Sequence, residues 1–210
     1  TCRWVMYQDA IPESVKPSSH RKSSKSLAAK GTGYENRFNF RYTFDSFVVG
    51  ACNRFAFGFS EGVANHPGEA CNPLFIYGGS GLGKTHLLHA IGQKIALNNP
   101  EKRVICSSGE AFLNSYVNAI SNRTIADFRR YYDNADVLLV DDVHFLVGKE
   151  GTQEIFFNIF NTLFSSGRQI VVTSDRPPRQ LKDFTARMIT RFEGGGTVEL
   201  YDKNELLENF

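Results

Sequence analysis

Tryptophan is almost missing from this chain, one residue in 210, while phenylalanine occurs eighteen times. An apolar interior must therefore be filled chiefly by phenylalanine and aliphatic side chains. Neither sign of charge dominates: 24 Lys and Arg against 22 Asp and Glu leave a net +2. Any nucleic-acid surface has to come from local clustering rather than bulk charge. The four cysteines, Cys2, Cys52, Cys71 and Cys106, lack the spacing of a zinc site. They read as reduced, mostly buried thiols of a cytosolic protein. No apolar run approaches the roughly 20 residues of a membrane-spanning helix, and the N-terminus carries no signal-peptide apolar region. These absences predict a cytoplasmic location and no membrane-spanning segment. The chain opens at Thr1 rather than Met, so it is expected to be a piece of a longer protein.

What is present is the composition of an ordinary globular domain, 41% hydrophobic and 22% charged. The length suits one large domain with tails, or at most two small ones. Residues 14 to 36 hold six serines and the basic residues Lys16, Arg21, Lys22, Lys25 and Lys30, with no acid between Ser14 and Tyr34. Such a stretch buries too little apolar surface to order itself. The expected organisation is a tail and linker over 1–39, one folded domain over 40–201, and a C-terminal stub over 202–210.

Within the domain the apolar pattern alternates between strand-like and helical periods. Cys52, Phe55, Ala56, Phe59 and Val63 predict one apolar helical face, ended by the turn Asn65-His66-Pro67-Gly68. Leu87, Leu88, Ile91 and Ile95 form a second stripe. Arg103 to Cys106 reads as a strand, after which Ser107 and Glu110 have capping-box spacing. They open a helix carrying Phe112, Leu113, Tyr116, Val117 and Ile120. A further helix carries Ile125, Phe128, Tyr131 and Tyr132. Val137 to Val140 is a buried strand. Ile155, Phe156, Ile159, Phe160 and Leu163 mark the next helix, and Ile170 to Thr173 the next strand. A last helix spans Phe184 to Phe192, with Thr197 to Tyr201 as a closing strand. This alternation predicts a three-layer α/β/α fold around a central parallel sheet.

The most informative stretch is Gly78-Gly79-Ser80-Gly81-Leu82-Gly83-Lys84-Thr85, which fits G-x-x-x-x-G-K-[ST] throughout. An apolar run leads in and a helical pattern leads out. Glycines allow consecutive N–H groups to point into one concavity for phosphate oxygens. The helix N-terminus adds partial positive charge. Lys84 can reach the β- and γ-phosphates, and the Thr85 hydroxyl can ligate Mg²⁺. With glycine at about 7% of average usage, a chance match in this length is on the order of one in a hundred. Further on, an apolar strand ends in Asp141-Asp142. Alone, such a pair is usually a solvated loop start; with a phosphate loop it supplies the metal carboxylate, Asp141, and a second carboxylate, Asp142, to orient or deprotonate water. Asp142 is shorter than Glu, so slow hydrolysis is expected. Thr173-Ser174-Asp175 ends the next strand, at the sheet edge where ligands bind in open α/β folds. Arg187 and Arg191 share a helix face.

These motifs resemble those of the AAA+ ATPases and, most closely, the DnaA family of bacterial chromosomal replication initiators. The resemblance covers about Tyr42 to Leu200. It rests on Tyr42-Thr43-Phe44-Asp45-Ser46-Phe47-Val48 with Gly50 and Asn53, on Asn72 through Ala90, on Leu138 through Leu146, on Thr173 to Arg176, and on Arg187 to Phe192. It implies ATP with Mg²⁺, held by Gly79, Gly81, Leu82, Gly83, Lys84, Thr85 and His86, with Phe47, Val48 and Asn53 by the adenine. It implies that Asp175 is similar to the sensor of the γ-phosphate. Arg191 resembles the arginine finger that completes a neighbouring subunit's site, and Arg187 supports that interface. The helices around Val117 resemble an initiator-specific insertion, and Val117, Lys149 and Thr152 stand where relatives contact single-stranded DNA. The implied role is an ATP-dependent filament that opens the replication origin, with the replicative helicase machinery as a further partner.

The chain departs from that pattern in places. Relatives usually carry Arg where Gly151 stands, and Glu193-Gly194-Gly195-Gly196 replaces their Gly-Trp-Gly neighbourhood. The helical lid and the helix-turn-helix domain of the family are not among these 210 residues, so the chain alone is not expected to read duplex origin sequences. Two other readings compete: a related AAA+ regulator or helicase loader, and a truncated nucleotide-binding fragment without initiator activity.

Overall fold

The computed structural model describes residues 38–201. The basic serine-rich stretch at 14–36, Cys2 and the stub at 202–210 lie outside the described residues. Among the described residues five strands form one sheet: β1 Leu74–Gly78, β2 Val104–Ser108, β3 Val137–Asp141, β4 Gln169–Ser174 and β5 Gly196–Leu200. Their order is β2-β3-β4-β1-β5 and every neighbouring pair is parallel. The described residues also form six α-helices, α1 Arg54–Asn65, which precedes β1, and α2 Lys84–Asn98, α3 Gly109–Ser121, α4 Ile125–Asp133, α5 Glu150–Ser165 and α6 Ala186–Glu193, which run between strands. Parallel neighbours need crossovers, and the helices supply them.

Side chains alternate across each strand, and the helices over the two faces of the sheet bury different residue types. On one face Leu74, Ile76, Leu139, Val171, Val198 and Leu200 join Ala56, Val63 and Ala64 of α1 and Leu87, Leu88, Ile91 and Ile95 of α2. On the other face aromatics of the helices pack over aliphatic strand residues such as Leu138, Val140, Ile170 and Val172. Phe75 of β1 lies 5.1 Å from Phe192 of α6, which also packs on Phe160 of α5 at 6.0 Å. Phe112 of α3 contacts Phe156 at 5.4 Å, Phe128 at 5.3 Å and Tyr132 at 4.9 Å. Phenylalanine does the filling that the near-absence of tryptophan implied.

Several expected details shift. The buried stripe of α1 is Ala56, Ser60, Val63 and Ala64, whereas Phe55 is 75% exposed and Phe59 45%. Small residues form the face that packs on the sheet and α2, and of the helix's phenylalanines it is Phe57 that packs inward, against Phe44 and Phe47. On α3 and α4, Val117, Ile120 and Ile125 are likewise exposed, leaving Phe112, Phe128 and Tyr132 to anchor them. The cap of α3 is Ser108, not Ser107: its hydroxyl accepts from Ala111 N–H at 3.1 Å. β2 continues beyond the expected strand, so the cap moves with it. Cys52, Cys71 and Cys106 are only partly buried by surface exposure, and burial of its sulfur pushes the Cys106 thiol up to about 12. Gly195, in the departure at 193–196, passes so close to β1 that a Cβ there would come within 2.0 Å of the Pro73 carbonyl oxygen.

Truncating a fully buried aromatic leaves a cavity, so Phe192→Ala is expected to cost about 3–5 kcal/mol in chemical denaturation. Phe55→Ala, on the exposed side of α1, should stay within about 0.5 kcal/mol.

Candidate functional site

β1 delivers the glycine loop to the C-terminal edge of the sheet, and α2 starts directly behind it. Gly83 is the residue before α2 and takes φ +103°, which a glycine adopts without strain. A Cβ at Gly83 would also come within 2.7 Å of the Phe47 ring. Lys84 is the first helical residue and is only 7% exposed. Its ammonium donates to the Gly78 carbonyl at 2.9 Å and the Gly79 carbonyl at 2.8 Å. A buried cation held by its own loop is positioned where an anion can take over those contacts.

Behind the loop stands a second layer. The Thr85 hydroxyl donates to Asp141 Oδ2 at 2.8 Å. The Thr173 hydroxyl donates to Asp141 Oδ1 at 2.5 Å and accepts the Asp142 N–H at 2.8 Å. Three elements thus meet on one carboxylate: the start of α2, the end of β3 and the end of β4. Register makes this possible, because Val140 pairs with Val172 and the following residues, Asp141 and Thr173, come out side by side. A hydroxyl and a carboxylate are hard oxygen donors, the chemistry Mg²⁺ takes. Among the described residues no group of three or more His, Cys, Asp or Glu is arranged to hold a metal by itself. The donor set therefore fits an ion shared with phosphate oxygens.

Asp142 turns the chain at φ +51°, ψ +56°, a left-handed conformation that Asp tolerates better than most residues. Burial, and then the charge of Asp141, raise its carboxyl above the usual range. Asp175 behaves oppositely. Arg176 holds it with Nε to Oδ1 at 3.0 Å and Nη2 to Oδ2 at 2.6 Å, which lowers its carboxyl despite partial burial.

A family model described as the bacterial DnaA ATPase domain matches residues 38–199. The chain belongs to the bacterial DnaA ATPase-domain family. The chromosomal replication initiator protein DnaA of Thermomicrobium roseum is 53% identical over 161 residues, 77% of this chain and 35% of that protein. The chain thus spans about a third of the length of that curated relative. Domain III of the Thermotoga maritima replication initiation protein DnaA superposes with TM-score 0.76 at 47% identity, over 78% of this chain and 68% of that one. A replication initiator DnaA bound to AMPPCP and single-stranded DNA gives TM-score 0.76 at 42% identity, over 82% and 56%.

Other residues carried over from the DnaA family occupy varied settings. The Phe47 ring packs on Phe57 at 5.9 Å and His86 at 5.1 Å, while Val48 is 80% exposed. Asn53 spends both polar ends on its own loop, accepting Gly50 N–H at 2.7 Å and donating to the Val48 carbonyl at 2.9 Å. The His86 ring stacks on Tyr42 at 4.9 Å and its Nε2 bonds the Thr43 carbonyl at 2.7 Å. The side chain fastens the segment before Phe47 to α2. Gly79, Gly81 and Leu82 shape the loop; Gly81 also has positive φ, +78°.

On α6, Arg187 lies over the Phe157 ring at 5.2 Å and Arg191 over the Phe164 ring at 5.0 Å. Val117 and Lys149 are exposed, but Thr152 is buried in the first turn of α5. Of the three positions carried over as single-strand contacts, Thr152 is thus the one with little exposed surface. Two residues of the site received no individual role from the sequence. Thr173 is signalled by the aligned ends of two apolar runs, one closing in Val-Asp-Asp and the other in Val-Thr-Ser-Asp. His144 has no comparable signal.

The raised carboxyl of Asp142 has a measurable consequence. Above both its folded and unfolded pKa values the carboxylate is ionised in both states, and the folded state bears the penalty. Below both it is neutral in each, and the penalty vanishes. Asp142→Asn is therefore expected to raise the thermal midpoint near pH 7, with the gain fading as pH falls through the raised value toward the reference value of 3.8. Melting curves across that range check it; a gain that grows on acidification contradicts the reading.

Proposed function

We propose that this chain is the ATP-Mg²⁺-binding, slowly hydrolysing switch domain of a bacterial replication initiator. The observation that carries this reading is the Thr85–Asp141–Thr173 chain of hydrogen bonds behind the buried ammonium of Lys84. Membership of the DnaA ATPase-domain family supports it. Lys84 and the loop N–H groups bind the β- and γ-phosphates, and Thr85 and Asp141 hold the metal. Mg²⁺ supplies neutralisation of charge on the phosphate oxygens. Asp142 orients the attacking water, and Asp175 with Arg176 reads the γ-phosphate end. The Phe47–Asn53 segment borders the adenine.

Arg191 engages the nucleotide of the next subunit, with Arg187 beside it, so that hydrolysis removes the charge that sustains assembly. In this reading the ATP-bound filament forms at the replication origin, grips single-stranded DNA and promotes duplex opening, with the helicase machinery as a later partner. The related initiator bound to AMPPCP and single-stranded DNA supports both ligands. The loader and inert-fragment readings lose ground to the family match, which spans most of the chain. The cytoplasm fits this role, and no helix among the described residues is long and apolar enough to cross a membrane.

Removing the lysine tests the nucleotide site. Charge-assisted bonds are worth about 1.5–3 kcal/mol, so Lys84→Ala is expected to raise the ATP dissociation constant at least about tenfold. An affinity within about twofold of the parent overturns the assignment.

The DNA surface has its own test. Gly151 is exposed and a Cβ there meets nothing within 4 Å, so Arg fits without a clash. Each phosphate contact on a single strand contributes about 0.7 to the slope of log affinity against log salt. Gly151→Arg should steepen that slope and tighten ATP-dependent binding, and Lys149→Ala should do the opposite. Binding isotherms at several salt concentrations decide, and unchanged slopes in both variants place this loop away from the strand.

A further inference from the structure

The ends of β3 and β4 bring two carboxylates, Asp142 and Asp175, to the same edge of the sheet, and one imidazole stands between them. His144 follows in the 3-10 turn Val143–Leu146. Its Nδ1 lies 3.4 Å from Asp175 Oδ1 and 3.9 Å from Asp142 Oδ1. That nitrogen is closed to solvent and has no hydrogen bond of good geometry. The ring is stacked on Phe145, centroids 4.8 Å apart, which restricts its rotation. Buried polar atoms of native proteins are seldom left unpaired, because the desolvation cost is then not offset. Both distances exceed a good N–H···O bond by about half an ångström or more. A small shift of either carboxylate closes one of them.

Charge points to the same conclusion. Asp141, Asp142 and Asp175 are three acids at one edge. Asp175 has both its oxygens engaged by Arg176, and Asp142 Oδ1 faces His144 Nδ1 at 3.9 Å. A donor between the two outer acids fixes their separation and opposes their repulsion.

We propose that His144 is a positioning residue. Its Nδ1–H is donated between Asp175 and Asp142, so the group that orients water and the group that reads the terminal phosphate move as one unit. This role rests on the functions proposed for Asp142 and Asp175. His144 touches neither nucleotide nor water in this scheme and acts through the two carboxylates.

Two measurements on the 210-residue chain test it. The first needs no nucleotide. Ring ¹⁵N NMR of histidine reports which nitrogen carries the proton, and His144 is expected to show a protonated Nδ1. A bare Nδ1 with the proton on Nε2 alone overturns the proposal. The second is steady-state turnover of His144→Phe, which keeps a ring but has no donor, and His144→Gln, which restores a neutral N–H. His144→Phe should lower kcat about 3- to 10-fold, the worth of one hydrogen bond, with KM and ATP affinity within about twofold. His144→Gln should recover to within about twofold of the parent. Wild-type kcat in His144→Phe, or a Gln variant no better than Phe, overturns the role. Lys84→Ala measured alongside separates the two failures. If it still binds ATP, the nucleotide reading fails; if it does not and His144→Phe turns over normally, only the positioning role fails.

Discussion

The Asp141 carboxylate is the point on which the rest of this molecule depends. One oxygen takes the Thr85 hydroxyl and the other the Thr173 hydroxyl. Thr173 in turn receives the N–H of Asp142. A helix start and two strand ends are thereby tied through a handful of atoms, in a setting where hydrogen bonds to a charged group are stronger than average. The glycine loop can take its open backbone path because this knot holds the start of α2 in place, and with it the buried ammonium of Lys84. Phe47, pressed against Gly83, closes the loop from the other side. The phosphate loop is therefore clamped between an ionic network and an aromatic ring.

Much of this was legible in the chain. The apolar runs at Leu74, Val137 and Ile170 are short, and they lie between helical stripes, so a parallel α/β sheet followed from spacing alone. The glycine-lysine loop stood out by its motif, and Asp141 by ending an apolar strand. What periodicity could not show was which of two apolar faces goes inward. On α1 Phe55 and Phe59 looked like core, yet small residues face the sheet and α2, and Phe55 was left outside. Thr152 presents the reverse case: a polar residue read as surface is buried in the first turn of α5. His144 belongs to the site through tertiary placement between Asp142 and Asp175, which no local pattern records. His86 lies next to the motif in sequence, but its ring faces Tyr42 and Thr43. Adjacency along a chain does not decide where a side chain points.

The aromatic composition also explains the division of labour between the faces of the sheet. Aliphatic residues fill the side under α1 and α2, where close helix packing keeps the backbone near the strands. Rings of the helices cover the aliphatic strand residues of the other side, where α5 and α6 stand. Tilted and edge-on pairs such as Phe75 with Phe192 and Phe112 with Phe156 give that layer geometric preferences that aliphatic packing lacks. The glycines at 194–196 suit this arrangement, since Gly195 lets the end of α6 press against the Pro73 backbone and leads the chain straight into β5.

The same aromatic layer reaches the surface through Phe157 and Phe164, on which Arg187 and Arg191 rest. A free arginine samples many rotamers, and ordering one costs up to about 2 kcal/mol of conformational entropy. A guanidinium laid on a ring has already given up part of that freedom when the chain folds. Any encounter these arginines make thus begins from a narrowed distribution of side-chain poses. The rigidity of α5, set by residues buried beneath it, becomes a term in the association entropy of a surface it does not itself form.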